Sequence, residues 1–350
     1  MYRDLTVGVV VPAYNESGYV GAVIDELPDF VDRAYVIDDG STDDTWDEIK
    51  THAAARNEEY DGHFDDLVVP LRHGENRGVG GAIKTGYLRA REERIEVTAV
   101  LGGDDQMDPT EITRYLDPIA DGRADYVKGN RFAELTGYAE MPRFRLLGNV
   151  ILSYLTKIAS GYWDTMDSQN GYAAISLRAL EETEIEEMYE YYGYCNDLLV
   201  RLNTAEMRVL DVPRSSEYAY REGWKSHIDY REYIPRVSAM LARSFVRRLG
   251  RKYVLTSYEP ITPLYLLGGL VSGAGVLGWL RDREDADGTR LLTMTVGLLT
   301  MLSATMLDRE ANADLQPSFE ESASEETAEE ATSTAMEQEE PSTAVPAEGR

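Results

Sequence analysis

Four short apolar runs rich in β-branched residues alternate with stretches of helical periodicity, and three of the four stop at an acidic cluster. The runs are Leu5–Val11, Ala34–Ile37, Leu67–Leu71 and Val97–Leu101. Continuous rather than alternating hydrophobicity marks strands buried on both faces, as in a parallel sheet. Between them, Ser17–Leu27 sets Val20, Val23, Ile24 and Leu27 on one helical face, and Gly78–Arg91 reads as a helix that starts on glycine. Thr42 or Asp43 offers a cap for a further helix reaching about Ala55. This alternation predicts right-handed βαβ units and an α/β chain with a mostly parallel sheet flanked by helices. Ligands of open sheets sit beyond the carboxyl ends of the strands. Tyr14-Asn15-Glu16, Asp38-Asp39 and Asp104-Asp105-Gln106 all fall there. They are expected to line one crevice.

Past residue 130 the pattern loosens. Phe144–Ile158 reads as an amphipathic helix, Tyr172–Ile175 as a strand feeding a helix at Ser176–Glu182, and Met207–Val212 as a strand stopped by Pro213. Arg231–Arg248 is a helix with apolar and basic positions. Then Ile261–Leu280 runs for 20 residues without a charge, and Leu291–Leu307 for 17. At about 1.5 Å per residue the first spans roughly 30 Å, the thickness of a bilayer's hydrocarbon core. Two membrane spans are expected; buried helices or a re-entrant hairpin are the competing reading. Arg243–Lys252 carries five positive charges in ten residues, which places that end in the cytoplasm and the short Arg281–Arg290 loop outside. The tail after Leu307 returns to the cytoplasm and, poor in large apolar residues, is expected to be disordered. The predicted division is a catalytic domain over 1–235, a basic juxtamembrane helix over 236–258, two spans within 259–307 and an acidic tail over 308–350.

The net charge of −28 argues against nucleic-acid binding, which needs a basic surface. The tail from Asp308 contributes only −11 of it, so −17 remains in front. Six Lys stand against 29 Arg, a Lys-poor acidic surface of the kind that stays hydrated in high salt, and a halophilic source is expected. Cys195 is the one cysteine, which leaves no disulfide and no cysteine-based zinc site, and it reads as an apolar filler. The N-terminus lacks the apolar core and cleavage site of a signal peptide. His52, His63, His73 and His227 have no metal-ligand spacing and are read as non-catalytic.

Six strings occur in one order: Pro12-Ala-Tyr-Asn-Glu16, Asp38-Asp-Gly-Ser-Thr-Asp43, Asn76-Arg-Gly-Val-Gly-Gly-Ala82, Gly103-Asp-Asp-Gln-Met-Asp-Pro109, Gly129-Asn-Arg131 and Asp167-Ser-Gln-Asn-Gly-Tyr172. In them, over about residues 6–235, the chain resembles the family 2 glycosyltransferases of GT-A (Rossmann-like) fold, and among these the dolichyl-phosphate and polyprenyl-phosphate sugar synthases. The resemblance implies a nucleotide-sugar donor bound by Pro12, Tyr14, Glu16, Asp38, Asp39, Gly103 and Asp104, with Asp39 holding the base. It implies Mg2+ or Mn2+ on Asp104 with Gln106. The family's metal motif is Asp-Xaa-Asp-Xaa-Gln, and here Gly102 stands where its first Asp would be. Arg131, Arg143, Arg145, Arg221 and Lys225 are placed on the acceptor side, where guanidinium forks suit phosphate. Asp197 falls where relatives carry a catalytic base. A phosphate acceptor is already largely ionised at neutral pH and needs little base, so Asp197 is either a base or an organiser of the acceptor loop. The Gly-rich Asn76–Ala82 string matches no phosphate-cradling motif and reads as a helix start that packs below the donor.

The reaction implied is transfer of a hexose from UDP-glucose or a similar donor to dolichyl or polyprenyl phosphate, with inversion, at the cell membrane. The catalytic residues expected are Asp104, Arg131 and Asp197. By the resemblance, the product would serve N-glycosylation of surface (S-layer) proteins in archaea. The competing readings are a transferase that extends a glycan and a non-catalytic membrane scaffold. A processive synthase would carry a Gln-Xaa-Xaa-Arg-Trp string and more apolar runs, and the sequence has neither.

Overall fold

The computed structural model describes residues 1–133, 143–214, 230–256, 259–281, 288–317 and 319. Seven strands form one sheet: β1 (Val7–Ala13), β2 (Arg33–Asp38), β3 (Val68–Arg72), β4 (Val97–Val100), β5 (Tyr126–Asn130), β6 (Ala173–Ser176) and β7 (Val209–Pro213), in the order β3-β2-β1-β4-β6-β5-β7. All pairs are parallel except those of β6, which runs antiparallel to β4 and β5. The first four strands lie where the apolar runs predict them. Val9, Val10, Val11, Val36, Ile37 and Ala99 have essentially no exposed surface, as two-sided burial demands.

Helices cover both faces. One face packs on α1 (Val20–Asp25), α2 (Thr45–Glu58) and α4 (Thr113–Ala120). The other packs on α3 (Val79–Glu92), α6 (Leu177–Glu182) and α7 (Tyr194–Thr204). Asp43 does serve the start of α2, accepting from the backbone N–H of Thr45 at 3.1 Å and its hydroxyl at 2.5 Å. The register pairs Ala13 with Asp38 and Val10 with Val100, so β1, β2 and β4 end at the same edge.

The glycines of Asn76–Ala82 permit close packing, as the helix-start reading requires. Gly78 caps α3 at φ +83°, and a Cβ on Gly80 would lie 2.5 Å from the carbonyl oxygen of Tyr189. That neighbour is backbone and cannot swing away. Gly80→Ala therefore destabilises by about 1–3 kcal/mol despite alanine's higher helix propensity. Chemical denaturation checks this, and an unchanged midpoint would contradict it.

Three elements were not foreseen: α4, β5 and α7. Helix α4 carries Pro118 inside it, β5 carries a buried Lys128, and α7 buries Asn196, Asp197, Arg201 and Asn203. In α4 the proline argues against a helix, and in β5 and α7 buried polar residues interrupt the apolar pattern by which an element is recognised.

Two further helices pack on this domain: α5 (Arg143–Ser160) and α8 (Tyr230–Leu249), the latter running on as a π-helical turn over Gly250–Thr256. Then α9 (Ile261–Arg281) and α10 (Gly288–Ala311) pack together as a hairpin, each long and apolar enough to cross a membrane. Glycines set their approach: a Cβ on Gly268 would lie 2.8 Å from the carbonyl oxygen of Gly297. Their outer faces expose Leu266, Leu270, Leu277, Leu298, Leu299 and Leu302. A soluble protein would bury such faces.

The end of the hairpin corrects one expectation. The residues after Leu307 do not begin a disordered tail. Helix α10 continues to Ala311, a 3-10 turn follows over Ala313–Leu315, and Asp308 and Asn312 have no exposed surface. The basic run is drawn into the fold as well. Arg248 is fully buried against Asp308, with both ends of its fork on the carboxylate at 2.9 and 2.7 Å. Tyr253 donates to Asp308 at 2.5 Å, while Lys252 and Asn203 both donate to Asn312 at 2.8 Å. Arg247 and Arg251 pair with Glu184. The second apolar helix is thus joined to α7 and α8 through buried charge.

Candidate active site

The crevice is built at the edge where β1, β2 and β4 end. The loop after β1 is laced to the loop after β2. Asn15, at φ +56°, donates its N–H to the Ser41 hydroxyl at 2.9 Å and accepts from the N–H of Thr42 at 2.9 Å. The N–H of Glu16 donates to the Thr45 hydroxyl at 2.8 Å. Pro12 is the half-buried residue of β1, and its carbonyl accepts from the N–H of Gly103 at 3.1 Å. A Cβ on Gly103 would sit 2.9 Å from that carbonyl oxygen, so only glycine lets the β4 loop close on β1. Tyr14 projects with 43% of its surface exposed, available to a ligand.

The two aspartates after β2 differ. Asp38 is fully buried; it caps the N–H of Ser41 at 2.9 Å and pairs with Arg72 at 2.9 Å, a structural role. Each has a buried Oδ2 without a hydrogen-bond donor; that of Asp38 faces Arg72 Nε, whereas the ion pair of Asp39, with His73, is made through Oδ1. Asp39 Oδ1 accepts from the N–H of Arg77 at 2.9 Å and meets His73 Nδ1 at 2.6 Å.

Asp104 lies partly exposed after β4, its Oδ1 accepting from the N–H of Gln106 at 3.3 Å. Burial raises its pKa above the ordinary aspartate value. Glu16 is pushed up to about 7, by burial first and then by the charges of Asp104 and Asp43. The charges of Glu16, Asp104 and Asp43 crowd one another, with Arg214 offsetting part of the charge at Asp104. A Cβ on Gly102 would lie 2.7 Å from Asp104 Oδ1. With Asp104 in this position, the missing first aspartate of the metal motif has no room. Among the described residues no three His, Cys, Asp or Glu side chains gather as a metal cage. Two carboxylates beside an amide do fit a divalent ion that takes its other ligands from a diphosphate.

The Glu16 shift has a measurable consequence. A raised folded-state pKa contributes stability that is full below the unfolded value of 4.5 and is lost as pH rises through about 7. Without divalent ion, the wild type weakens between about pH 5 and pH 8. Glu16→Gln flattens that decline, as thermal unfolding across pH will show; the same slope in both proteins would contradict the assignment.

Arg131 has a partner already. Its guanidinium forks onto buried Asp167 at 2.7 and 2.7 Å, and its N–H donates to the same carboxylate at 3.1 Å. Burial works to raise the Asp167 pKa, but Arg131 and Lys128 outweigh it and hold the group below the ordinary aspartate value. Lys128 also donates to the carbonyl of Met166 and pairs with Asp211 at 3.0 Å. The Asp167–Tyr172 string is therefore fixed from two sides, and Arg131 serves it as an organiser.

Asp197 has the surroundings of an organiser. It is buried, and its oxygens accept from Tyr189 N–H at 3.0 Å, Arg201 Nε at 2.7 Å and the Ser244 hydroxyl at 2.8 Å. It ties α7 to α8. Arg143 and Arg145 fall in the first turn of α5. Arg221 and Lys225 lie outside the described residues. Cys195 is a buried free thiol inside the second core, pushed up to about 11 by burial, as an inert filler should be.

Sequence reasoning passed over Arg214. It is buried directly after β7, donating to the carbonyl of Gln106 at 3.0 Å and to Asn170 Oδ1 at 3.1 Å. It also lies 5.3 Å from the centre of the Tyr172 ring, which stacks on Tyr115 at 4.2 Å. One guanidinium thus joins the metal motif to the Asp167–Tyr172 string. The available signal was an arginine placed immediately after an apolar strand.

Comparison with known proteins agrees with this geometry. The model of the family described as glycosyl transferase family 2 matches residues 8–183. The chain is 28% identical over 219 residues to the UDP-N-acetylglucosamine–dolichyl-phosphate N-acetylglucosaminyltransferase of Methanococcus voltae, covering 61% of this chain and 87% of that one. It is 27% identical over 227 residues to glycosyltransferase AglJ of Haloferax volcanii, covering 63% of this chain and 66% of that one. Among solved structures, mannosyl-3-phosphoglycerate synthase from Rubrobacter xylanophilus is similar in fold, with a TM-score of 0.50 at 17% identity over 73% of this chain and 77% of that chain. The chain belongs to glycosyl transferase family 2, and the protein is a glycosyltransferase of GT-A fold.

Proposed function

We propose that the protein transfers a hexose from a nucleotide sugar, UDP-glucose or one like it, to dolichyl or polyprenyl phosphate with inversion at the anomeric carbon. The observation that carries this is the apolar hairpin α9–α10, joined through buried Arg248 and Asp308 to the domain that holds the crevice. Such an arrangement keeps the crevice beside a lipid acceptor. Helix α5 adds to it, exposing Ile151, Tyr154, Leu155 and Ile158 along one stripe, a face suited to the bilayer interface. The Methanococcus relative is named for transfer to dolichyl phosphate.

In this reading Asp39, Tyr14 and Pro12 hold the nucleoside. Asp104 and Gln106 hold Mg2+ or Mn2+, and Glu16 is the second carboxylate in place of the one absent at Gly102. The chemistry such an ion supplies is neutralisation of the charge that grows on the departing diphosphate. Arg214 keeps the metal motif and the Asp167–Tyr172 string in register. Arg145, Arg221 and Lys225 receive the acceptor phosphate, whose ionised oxygen attacks without a general base. The crevice faces the cytoplasm, and the product feeds N-glycosylation of surface (S-layer) proteins in a halophilic archaeon.

The test is transfer in membranes from cells making the protein, with radiolabelled UDP- and GDP-sugars, added dolichyl phosphate, and Mg2+ or EDTA. A chloroform-soluble product, labile to mild acid and absent with EDTA, is expected from one donor. Label appearing only on a pre-existing glycan would replace this reading with chain extension.

A further inference from the structure

The crevice contains a histidine that no motif marks. The β2–β3 ladder runs one residue past the strands, with the N–H of His73 donating to the carbonyl of Asp38 at 2.9 Å. This sets His73 beside Asp39, and both side chains are more than nine-tenths buried. His73 Nδ1 meets Asp39 Oδ1 at 2.6 Å and Nε2 meets the Thr85 hydroxyl at 2.9 Å. A carboxylate only accepts, so Nδ1 carries the proton. The second donor to Oδ1, the N–H of Arg77, arrives because the turn at Gly40 packs against the loop before α3. Gly40 has φ +75°, and a Cβ there would lie 2.9 Å from the backbone of Glu75. Both donors fall on one oxygen. The other, Oδ2, is buried and has no partner. An unmet buried acceptor costs about 1–3 kcal/mol, and at the crevice a ligand's donor would remove that cost. Oδ2 is closed off from solvent, so a base that meets it needs the atoms around it to move.

We infer that His73 is a positioning residue that locks the Asp39 carboxylate, so that Oδ2 selects a nucleobase with a ring N–H. Uracil offers N3–H and guanine N1–H; cytosine and adenine present a lone pair at the matching position. A site built around one buried acceptor discriminates strongly against a ligand that cannot donate to it. The inference rests on the reading of the crevice as a nucleotide-sugar site.

The experiment is titration calorimetry of the purified full chain in detergent with Mg2+, using UDP, GDP, CDP and ADP as probes. The wild type binds UDP or GDP about a hundredfold tighter than its lone-pair counterpart, CDP or ADP. His73→Leu frees the carboxylate to turn, weakens the preferred nucleotide about tenfold and collapses the preference. His73→Asn, whose amide N–H can stand in for Nδ1–H, restores most of both. In transfer assays His73→Leu raises KM for the donor and leaves kcat at saturation nearly unchanged. A His73→Leu protein that melts earlier but keeps the full preference would show a purely structural histidine and overturn the inference alone. Equal binding of all four nucleotides by the wild type would also overturn it. A wild type that binds none of them would remove the donor reading beneath it.

Discussion

Asp104→Asn lowers kcat/KM for sugar transfer by about a thousandfold or more while leaving the fold intact. The amide keeps an oxygen for the N–H of Gln106, so the loop after β4 retains its hydrogen bond. What is lost is the charge that holds the divalent ion. The stability change runs the other way. Burial raises the Asp104 pKa, so the ionised side chain weakens the fold at neutral pH, and stability is fuller when it is protonated below about 3.8. A neutral amide at this position therefore melts no earlier than the wild type at pH 7, and somewhat later. Falling activity with steady or rising melting temperature separates a ligand residue from a structural one. An Asp104→Asn protein that keeps a tenth of wild-type activity would exclude Asp104 as the principal ligand.

Arg248→Met destabilises the protein by about 3–5 kcal/mol, the largest stability effect expected of any single change here. It leaves the Asp308 carboxylate buried among Tyr253, Asn312 and α8, with its principal countercharge gone. Asp308→Leu strands the guanidinium in the same way. Replacing both with apolar side chains recovers most of the loss, because a buried pair is little better than a packed hydrophobic core while a lone buried charge is far worse. Since Arg248 also donates to the carbonyl of Ala159 at 2.8 Å, some loss persists in the double variant. Each single variant loosens the hairpin from the crevice and so lowers transfer to a lipid acceptor more than binding of a soluble nucleotide. Protease sensitivity and unfolding in detergent measure the first effect, and parallel transfer and binding assays the second. Equal losses in transfer and nucleotide binding would contradict the coupling.

The first four strands could be read because their residues are buried on both faces, and their ends could be read because a β-branched run stops cleanly at a polar residue. What lay beyond was hidden by polar groups that tertiary structure satisfies. Lys128 makes β5 look like a surface segment until Asp211 and the carbonyl of Met166 are brought to it. The resemblance offers Asp197 as a base or an organiser, and part of what favours the second, the Ser244 hydroxyl on α8, lies 47 residues away. Asp308–Gln316 read as the start of a solvated tail because its charges stand alone in the sequence; Arg248 and Lys252 lie some sixty residues earlier. The donor side of the crevice sits on strand ends, where local pattern suffices. The acceptor side depends on long-range ion pairs such as Arg131 with Asp167, which no local pattern reports.

Acceptor choice is measured with purified protein in lipid vesicles and the donor that the membrane assay identifies. Three acceptors are compared: polyprenyl phosphate, the same polyprenol without phosphate, and a water-soluble phosphate monoester. Metal-dependent transfer to polyprenyl phosphate alone, abolished by Asp104→Asn, is the expected result. Equal transfer to the soluble phosphate, or transfer to the bare alcohol, would contradict it.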